Sequence, residues 1–316
     1  MATSGNEIAA LVDTILTGGS APASRLAVLS DLDGAGADQL RAEWARLSII
    51  AKVELLAQST ELAGDNVDLD FTQLARIGLR DDSAEVRVLA VEALWESTDR
   101  HVARDLTLLF RKDPDESVRA AAAASLGQFV LLRELDEFNA EQGDEIVEAL
   151  RIAAGGAESS LDVRARALES LGPRALPWVA GLISEAYYDE EPTLRLAAVV
   201  AMGGTADDQW LDYLIEQLHS DDPEFRFHAA SSLGVIASQD AVESLAEALD
   251  DDDSDVQIAV IVALGEIGGP EAVRCLKDFR LRAPPGLDEA VEIAIEAASF
   301  AAQPGGVEDE SEDDEP

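Results

Sequence analysis

Few residues of the sequence have the types and spacing that catalysis or metal binding requires. The three histidines, His101, His219 and His228, are scattered, and none has a cysteine or carboxylate at a ligand spacing such as H-E-x-x-H. No glycine-rich phosphate loop and no G-x-S-x-G nucleophile motif occurs. The acidic run Asp250–Asp253 lacks the D-x-D-x-D-G spacing of a calcium loop, so we interpret it as a solvated turn. We therefore assign no catalytic, cofactor-binding or metal-binding residue.

A regularly spaced set of arginines is the clearest pattern in the chain. Six segments share an apolar residue, Arg, two residues, a small or apolar residue, two more residues, Ala or Ser, then Leu or Met and usually Gly. They are VRVLAVEALW, VRAAAAASLG, VRARALESLG, LRLAAVVAMG, FRFHAASSLG and VQIAVIVALG. Their second residues, separated by 32, 45, 31, 31 and 31 positions, are Arg87, Arg119, Arg164, Arg195, Arg226 and Gln257. Such a series indicates an internal repeat.

Each of these segments has the period of an amphipathic helix. Counting the first apolar residue as offset 0, apolar or small residues at offsets 0, 4, 7 and 8 share one face. Alanine at offset 4 allows a neighbouring helix to approach closely. Glycine at offset 9, as at Gly127 and Gly203, predicts the left-handed residue that ends a helix.

Acidic turns and a second set of amphipathic runs complete the unit. Asp or Ser in turns such as DPDES and DDDSD can cap the helix that follows, and Pro192 and Pro223 suit a first helical turn. Another apolar-periodic run precedes each turn, so the unit is helix, acidic turn, helix. One hairpin cannot bury its apolar face alone, and the units are therefore expected to stack into an all-α solenoid.

The D…[VLF]-R-x-x-A-x-x-[AS]-L-G pattern resembles HEAT repeats, of the short type found in phycobilisome-lyase-like HEAT proteins. The resemblance is clear from Leu69 to Phe279. A degenerate first unit, with AEWARLSIIAKVELL as its second helix, and a last unit extend it to residues 22–302. The resemblance implies a single right-handed α-solenoid of about eight stacked helical hairpins with atypical end caps. Residues 1–21 are expected to be partly helical, and 303–316 to form a disordered acidic tail.

The resemblance also implies a ladder of ion pairs between successive repeats. Its arginines would be Arg87, Arg119, Arg164, Arg195 and Arg226, and its acids Asp82, Asp113, Asp221 and Asp251. An anion site along the aligned arginines is the less favoured alternative, because buried arginines are usually paired with carboxylates. HEAT-repeat enzymes that hydroxylate deoxyhypusine depend on His-Glu pairs. Here the histidines precede Val102, Ser220 and Ala229, which argues against that activity.

The net charge narrows the range of partners. The chain has 64 acidic residues against 23 basic ones, a net charge of −41 at pH 7, and seven acids and no base lie in the last twelve residues. This charge argues against nucleic acid and against anionic membranes as partners. Since concentrated salt screens such self-repulsion, we hypothesise a halophilic, salt-adapted protein. An acidic protein from a high-GC genome is the alternative.

The sequence is consistent with a cytoplasmic location. Cys275 is the only cysteine, so no intrachain disulfide can form and a reducing compartment is allowed. The N-terminus lacks the basic region of a secretory signal, and no run of eighteen apolar residues occurs.

Two features deviate from the regular repeat. Residues near 128–143 form an insertion of 14 residues, either a binding loop or a tolerated helical extension that ends in a loop at Asn139–Gly143. Apolar residues also replace expected polar ones at offsets 2 and 6 in the C-terminal half, where seven of fifteen aromatics lie between 178 and 227. A concave partner-binding surface, a self-association surface and deeper core remain open. The candidate residues are Leu196, Val200, Phe227, Ile258, Val262, Tyr187 and Tyr188.

We expect a non-enzymatic scaffold that binds another protein, because a regular solenoid offers a long surface with little preformed cavity. The alternative, from the family resemblance, is a bilin lyase or a lyase-like chaperone acting on a partner protein. A HEAT protein that binds nucleic acid is the weakest hypothesis, since it requires a basic channel.

Overall fold

Apolar residues that recur every three or four positions produce helices along the chain. The computed structural model describes residues 5–18 and 23–301, among which no β-strand occurs. The chain divides into two compact units, residues 1–174 and 175–316. The predicted acidic tail, 303–316, lies outside the described residues.

Each unit is a series of helices joined by short turns. The first unit contains α1 (Gly5–Gly18), α2 (Ala23–Leu26), α3 (Gly34–Trp44), α4 (Ile49–Asp65), α5 (Thr72–Gly78), α6 (Ala84–Glu92), α7 (Arg100–Lys112), α8 (Glu116–Glu134), α9 (Ala140–Gly155) and α10 (Leu161–Leu171). The second unit contains α11 (Pro177–Tyr187), α12 (Pro192–Gly204), α13 (Leu211–Gln217), α14 (Pro223–Ile236), α15 (Val242–Ala248), α16 (Ser254–Ile267), α17 (Gly269–Arg280) and α18 (Asp288–Ala301).

From α3 onward the helices pair into eight hairpins within the described residues, four in each unit. The second helix of each hairpin packs against the second helix of the next: α4, α6, α8 and α10 in the first unit, and α12, α14, α16 and α18 in the second. This confirms the all-α solenoid of about eight hairpins. The alanines at offset 4 lie fully buried between these helices, namely Ala90, Ala122, Ala167, Ala198 and Ala229.

Acidic turns cap α8, α14 and α16 as predicted, whereas Ser83, Ser160 and Glu191, the cap residues of α6, α10 and α12, form no side-chain cap hydrogen bond. Asp115 accepts a hydrogen bond from the backbone N–H of Ser117 at the start of α8, and Asp253 does the same for Asp255 at the start of α16. Pro192 occupies the first turn of α12. These caps satisfy N–H groups that a helix leaves free at its N-terminus.

The offset-9 glycines do not adopt the left-handed conformation predicted for them, and only Gly172 ends its helix, as the C-cap residue of α10 with φ −44°. Gly127, Gly203, Gly234 and Gly265 lie inside helices, and none has a positive φ. Their role is close approach: a Cβ on Gly203 would lie 2.6 Å from Oγ of Ser232 on the adjacent second helix. Glycine therefore sets the distance between neighbouring hairpins.

The first hairpin also differs from the prediction. The segment AEWARLSIIAKVELL is two helices, because α3 ends at Trp44 and α4 begins at Ile49. The Ser48 side chain accepts a hydrogen bond from the N–H of Ala51 and so caps a new helix.

The insertion of 14 residues lengthens helices. α8 continues to Glu134, and α9 begins after the cap residue Asn139, so Gly143 lies inside α9. The ring of Phe138, in the short connection, packs against the ring of Phe129 on α8 with centroids 5.1 Å apart. None of the helices in 5–18 and 23–301 is long and apolar enough to cross a membrane.

Candidate functional site

The repeated arginines first hold the acidic turn of their own hairpin. Nη1 of Arg87 donates hydrogen bonds to the carbonyls of Asp81 and Asp82, at 2.9 and 3.1 Å. These carbonyls lie six and five residues before the arginine. The bond to the carbonyl six residues before is also made by Arg119, Arg195 and Arg226. Each of these arginines therefore satisfies turn carbonyls that no helix can satisfy.

Two of the arginines also bind a carboxylate of the next hairpin. Arg87 donates to both oxygens of Asp113 at 2.8 and 2.7 Å, and Arg226 donates to both oxygens of Asp251 at 2.7 and 2.8 Å. In the first hairpin Lys52 takes the arginine's place, with Nζ 2.6 Å from Oδ2 of Asp81. In all three pairs the acid lies six residues before the second residue of the next repeat segment, which is Arg87, Arg119 or Gln257; we call this second residue the ladder position. Asp81 is thus a ladder acid that sequence reasoning missed, although this spacing marks it.

The other predicted ladder residues are placed differently. The side chains of Asp82 and Asp221 are exposed and form no hydrogen bond or ion pair with any described residue. Ser220 stands where a ladder acid would face Arg195, and a hydroxyl cannot form the ion pair. Arg119 has Glu116 of its own helix 3.6 Å away, and Nε of Arg164 is buried without a hydrogen-bond partner.

Ion pairing shifts the ionisation of the ladder acids. The hydrogen bonds from Arg226 hold the pKa of Asp251 below its ordinary value. Burial acts to raise the pKa of Asp81, but hydrogen bonds from Lys52, the Ser83 N–H and Trp44 outweigh it, and the pKa is lowered. Both acids are therefore ionised at neutral pH.

The predicted apolar positions on the second helices line up in the second unit. Leu196 and Val200 on α12 and Phe227 on α14 are half-buried, whereas Ile258 and Val262 on α16 are 40% and 46% exposed. We call these five residues together with Ile293 on α18, which is 61% exposed, the apolar strip. Sequence reasoning missed Ile293 because Glu292 replaces the arginine that marks the other segments.

The apolar strip has no charged neighbour along much of its own helices. No Asp, Glu, Lys or Arg occurs between Leu196 and Gly204, between Phe227 and Ile236, or between Ile258 and Gly265. In the first unit, by contrast, offset 6 carries Glu92 and Glu169. Burial raises the pKa of Glu169, opposed by Arg166. An uncharged surface of this length is unusual in a chain of net charge −41.

Tyr187 and Tyr188 belong to a different cluster from the apolar strip. They lie at the end of α11, a first helix, and the Tyr187 ring packs edge-on against Tyr188 and Tyr213 with centroids 5.1 and 5.4 Å apart. Tyr187 is buried and its hydroxyl accepts a hydrogen bond from Nε2 of Gln217 at 2.7 Å, so it is core. Tyr188 is 72% exposed.

Groups that could perform chemistry are sparse. Among residues 5–18 and 23–301, no three His, Cys, Asp or Glu side chains are arranged to hold a metal ion. Burial raises the pKa of the Cys275 thiol, which keeps it in the less nucleophilic protonated form.

Helical hairpins that stack on one another, with ion pairs between successive hairpins, define an α-solenoid. Residues 179–255 and 211–298 match the family model of HEAT repeats. Residues 179–298, in the second unit, are therefore HEAT repeats.

Solved structures share this architecture at low sequence identity. The CpcE and CpcF complex of phycocyanin lyase from Nostoc sp. PCC7120 is 18% identical, with a TM-score of 0.55, over 76% of this chain and 92% of that chain. YibA of Escherichia coli is 21% identical, with a TM-score of 0.44 (77% and 95% covered). Human deoxyhypusine hydroxylase is 19% identical, with a TM-score of 0.37 (94% and 97% covered). Likeness at these identities shows the fold alone. The search of curated proteins finds no match.

Proposed function

We propose that this HEAT-repeat scaffold binds an amphipathic helix of another protein along the apolar strip. The observation that carries the proposal is a row of solvent-accessible apolar side chains on four successive second helices, without intervening charge on the first three. Exposed apolar patches of this kind on an otherwise charged surface are typical of protein-binding sites.

The spacing of the apolar strip favours a helical ligand. Second helices packed side by side place equivalent residues about 8–10 Å apart. On a partner helix crossing them, residues seven positions apart are separated by about 10 Å along the axis. Apolar residues every seven positions would therefore contact Phe227, Ile258 and Ile293 in turn, which is helix-in-groove recognition.

Two matched double variants test this proposal. Ile258→Asp/Val262→Asp places two charges in the apolar strip, whereas Ile152→Asp/Leu281→Asp makes the same change at residues 62% and 84% exposed outside it. With tagged protein and crosslinking before lysis at the organism's own salt concentration, a specific partner should be recovered by the parent and the control. We expect the strip variant to lose it by about tenfold or more.

Circular dichroism should show both variants folded, and light scattering should show whether the captured molecule is a second copy. Equal capture by both variants, or no reproducible partner of the parent, would contradict the proposal.

A lyase-like role on a tetrapyrrole-bearing partner is the second candidate. Its support is the fold likeness to phycocyanin lyase and the exposed Tyr188 ring beside Tyr213. Tyr187 is buried, so Tyr188 alone offers a largely exposed ring to a tetrapyrrole, and the scaffold is favoured. An unchanged bilin absorption spectrum on mixing with the protein would count against the lyase role.

A further inference from the structure

Helix α16 carries a carboxylate at each end of its part of the apolar strip. Along this helix Asp255 is followed by Ile258 and Val262 of the strip and then by Glu266, at intervals of three, four and four residues. Residues with this spacing share one face of an α-helix, and the first and last of them lie about 16 Å apart along its axis. Both acids are exposed, and neither carboxylate forms a hydrogen bond or ion pair with a residue that the structure describes.

The carboxylate of Glu266 reaches from α16 onto α14. Its Oε2 fills the space beside Gly234, where a Cβ would collide with it. Val235, the next residue of α14, is 56% exposed. Burial of the carboxylate raises the pKa of Glu266, and the structure gives it no partner that would offset the lost hydration. A cationic group beside it would supply that compensation.

A second acid continues the Asp255 edge of the apolar strip on α14. Glu224 precedes Phe227 by three residues, as Asp255 precedes Ile258, and its side chain is exposed. Equivalent residues on adjacent second helices lie about 8–10 Å apart, which seven residues of a partner helix cover. The acids along this edge therefore have the same repeat as the apolar contacts of the proposed ligand.

No free base offsets the charge of these acids. The four second helices of the second unit contain only two Lys or Arg residues, Arg195 and Arg226. Both donate to carbonyls of their own turns, and Arg226 also binds Asp251. The other bases of this unit lie on or directly after α17, a first helix, and are Arg274, Lys277, Arg280 and Arg282. The charge that borders the apolar strip thus favours a cationic ligand.

We propose that the partner helix is basic on both sides of its apolar seam, with Lys or Arg residues that pair with Asp255 on one side and with Glu266 on the other. This inference rests on the proposed function, since the helix must lie on the apolar strip. An α-helix with its side chains is about 10–12 Å wide, so it fits between carboxylates about 16 Å apart. The pairs correspond to those at the flanking positions of a coiled coil, which set partner choice and orientation.

Three synthetic helical peptides test this inference with the full chain. All have leucine at the same seam positions, at heptad spacing. The first has lysines on both sides of the seam, the second has the same number of lysines on the opposite face, and the third has glutamine in place of lysine. Attraction to a protein of net charge −41 acts equally on the first two, so only lysine position distinguishes them. Fluorescence anisotropy measures each Kd, at the lowest KCl concentration at which circular dichroism shows a full fold.

We expect the peptide with flanking lysines to bind about three- to tenfold more tightly than the peptide with lysines on the opposite face. Asp255→Asn/Glu266→Gln should abolish this preference, and circular dichroism should show the variant folded. The control Asp278→Asn/Glu247→Gln removes the same charge from exposed positions on the first helices α17 and α15, and it should retain the preference.

Equal affinities of the parent for the two lysine peptides would overturn the inference, as would a preference that survives in Asp255→Asn/Glu266→Gln. If the glutamine peptide still loses affinity in Ile258→Asp/Val262→Asp, the apolar strip binds a helix and only the basic flanks are wrong. If that strip variant binds all three peptides as the parent does, the proposed function fails together with the inference.

Discussion

A ladder arginine stabilises the fold through two separate sets of hydrogen bonds. Nη1 of Arg226 holds the carbonyl of Ser220 in its own turn, while Nε and Nη2 bind both oxygens of Asp251 in the next. Asp251 in turn accepts the backbone N–H of Asp253 at 2.9 Å, so one carboxylate closes its turn and joins two hairpins. Removing it would leave a largely buried guanidinium without its counter-charge.

We predict that Asp251→Asn lowers the free energy of unfolding at pH 7 by about 2 kcal/mol, between the values for exposed and buried pairs. The pair also makes stability depend on pH. Because the pKa of Asp251 is lower in the folded chain than its ordinary 3.8, its contribution is complete above pH 3.8 and is lost as the pH falls through the folded-state pKa. Urea unfolding followed by circular dichroism between pH 7 and 3 measures both effects.

Asp221→Asn is the control for this prediction, because Asp221 is exposed and forms no ion pair. It should change the unfolding free energy by less than about 0.5 kcal/mol. An Asp251→Asn protein as stable as this control at pH 7, with the same acid dependence as the parent, would show that the pair contributes nothing.

The sequence predicted that ion pairs join successive hairpins, but it did not predict which acid of each turn forms the pair. Arginine spacing marked the second helices, but each turn holds two or three acids, and a helical pattern does not say which of them points toward the neighbour. The structure selects the acid six residues before the next ladder position, as with Asp113 and Asp251, because that side chain also accepts the N–H two residues later. Asp82 and Asp221 are one residue too late for this geometry.

At the scale of the helix, small residues determine how closely hairpins stack. Gly203 on α12 faces Ser232 on α14, whose hydroxyl donates to the Val199 carbonyl at 2.9 Å. Gly127 and Ser170 repeat the arrangement between α8 and α10. The sequence pattern identified these glycines but could not distinguish a helix end from a close approach, because both favour a residue without Cβ.

We predict opposite effects for alanine at two helical glycines of the second unit. Gly203→Ala should destabilise by about 2 kcal/mol, since its Cβ would lie 2.6 Å from Ser232 Oγ and 2.7 Å from Ser232 Cα. Gly181→Ala should stabilise by about 0.5–1 kcal/mol through helix propensity, because nothing lies within 4 Å of its added Cβ. Thermal unfolding of both variants and the parent measures the two effects. A higher melting midpoint for both variants would mean that α12 and α14 can move apart without a loss of stability.

In the second unit Ser220 occupies the position of a ladder acid, and a substitution can supply the missing carboxylate for Arg195. The Ser220 hydroxyl accepts the N–H of Asp222 at 3.2 Å, as the ladder acids do for the residue two positions on. Ser220→Asp retains this bond and adds an oxygen for the unused nitrogens of Arg195, so we predict a gain of about 1 kcal/mol. Ser220→Asn, which lacks the charge, should gain less. Urea midpoints at pH 7 check this, and equal midpoints would show that Arg195 does not reach the site.

At the scale of the whole molecule, charge is distributed unevenly over the hairpins. Acids fill the turns, the second helices of the second unit expose uncharged apolar residues, and α7 concentrates bases. Repeat period, hairpin number and the apolar positions were predictable because periodicity encodes them directly. The pairing of Lys52 with Asp81 and the exposure of Ile293 were not, because neither residue lies in a segment that carries the repeated arginine.

Because most of the acidity belongs to the folded body, we predict that salt stabilises the protein. Removing the last twelve residues leaves −41 + 7 = −34 on the remaining 304 residues. Compaction brings these charges together, and raising KCl from 0.1 to 3 M shortens the Debye length from about 10 Å to below 3 Å. The melting midpoint should rise by at least about 5 °C, equivalent to ~2 kcal/mol for a chain of this size. NaCl should act equally if screening is the cause. Equal midpoints in 0.1 and 3 M KCl would instead assign the acidity to composition alone.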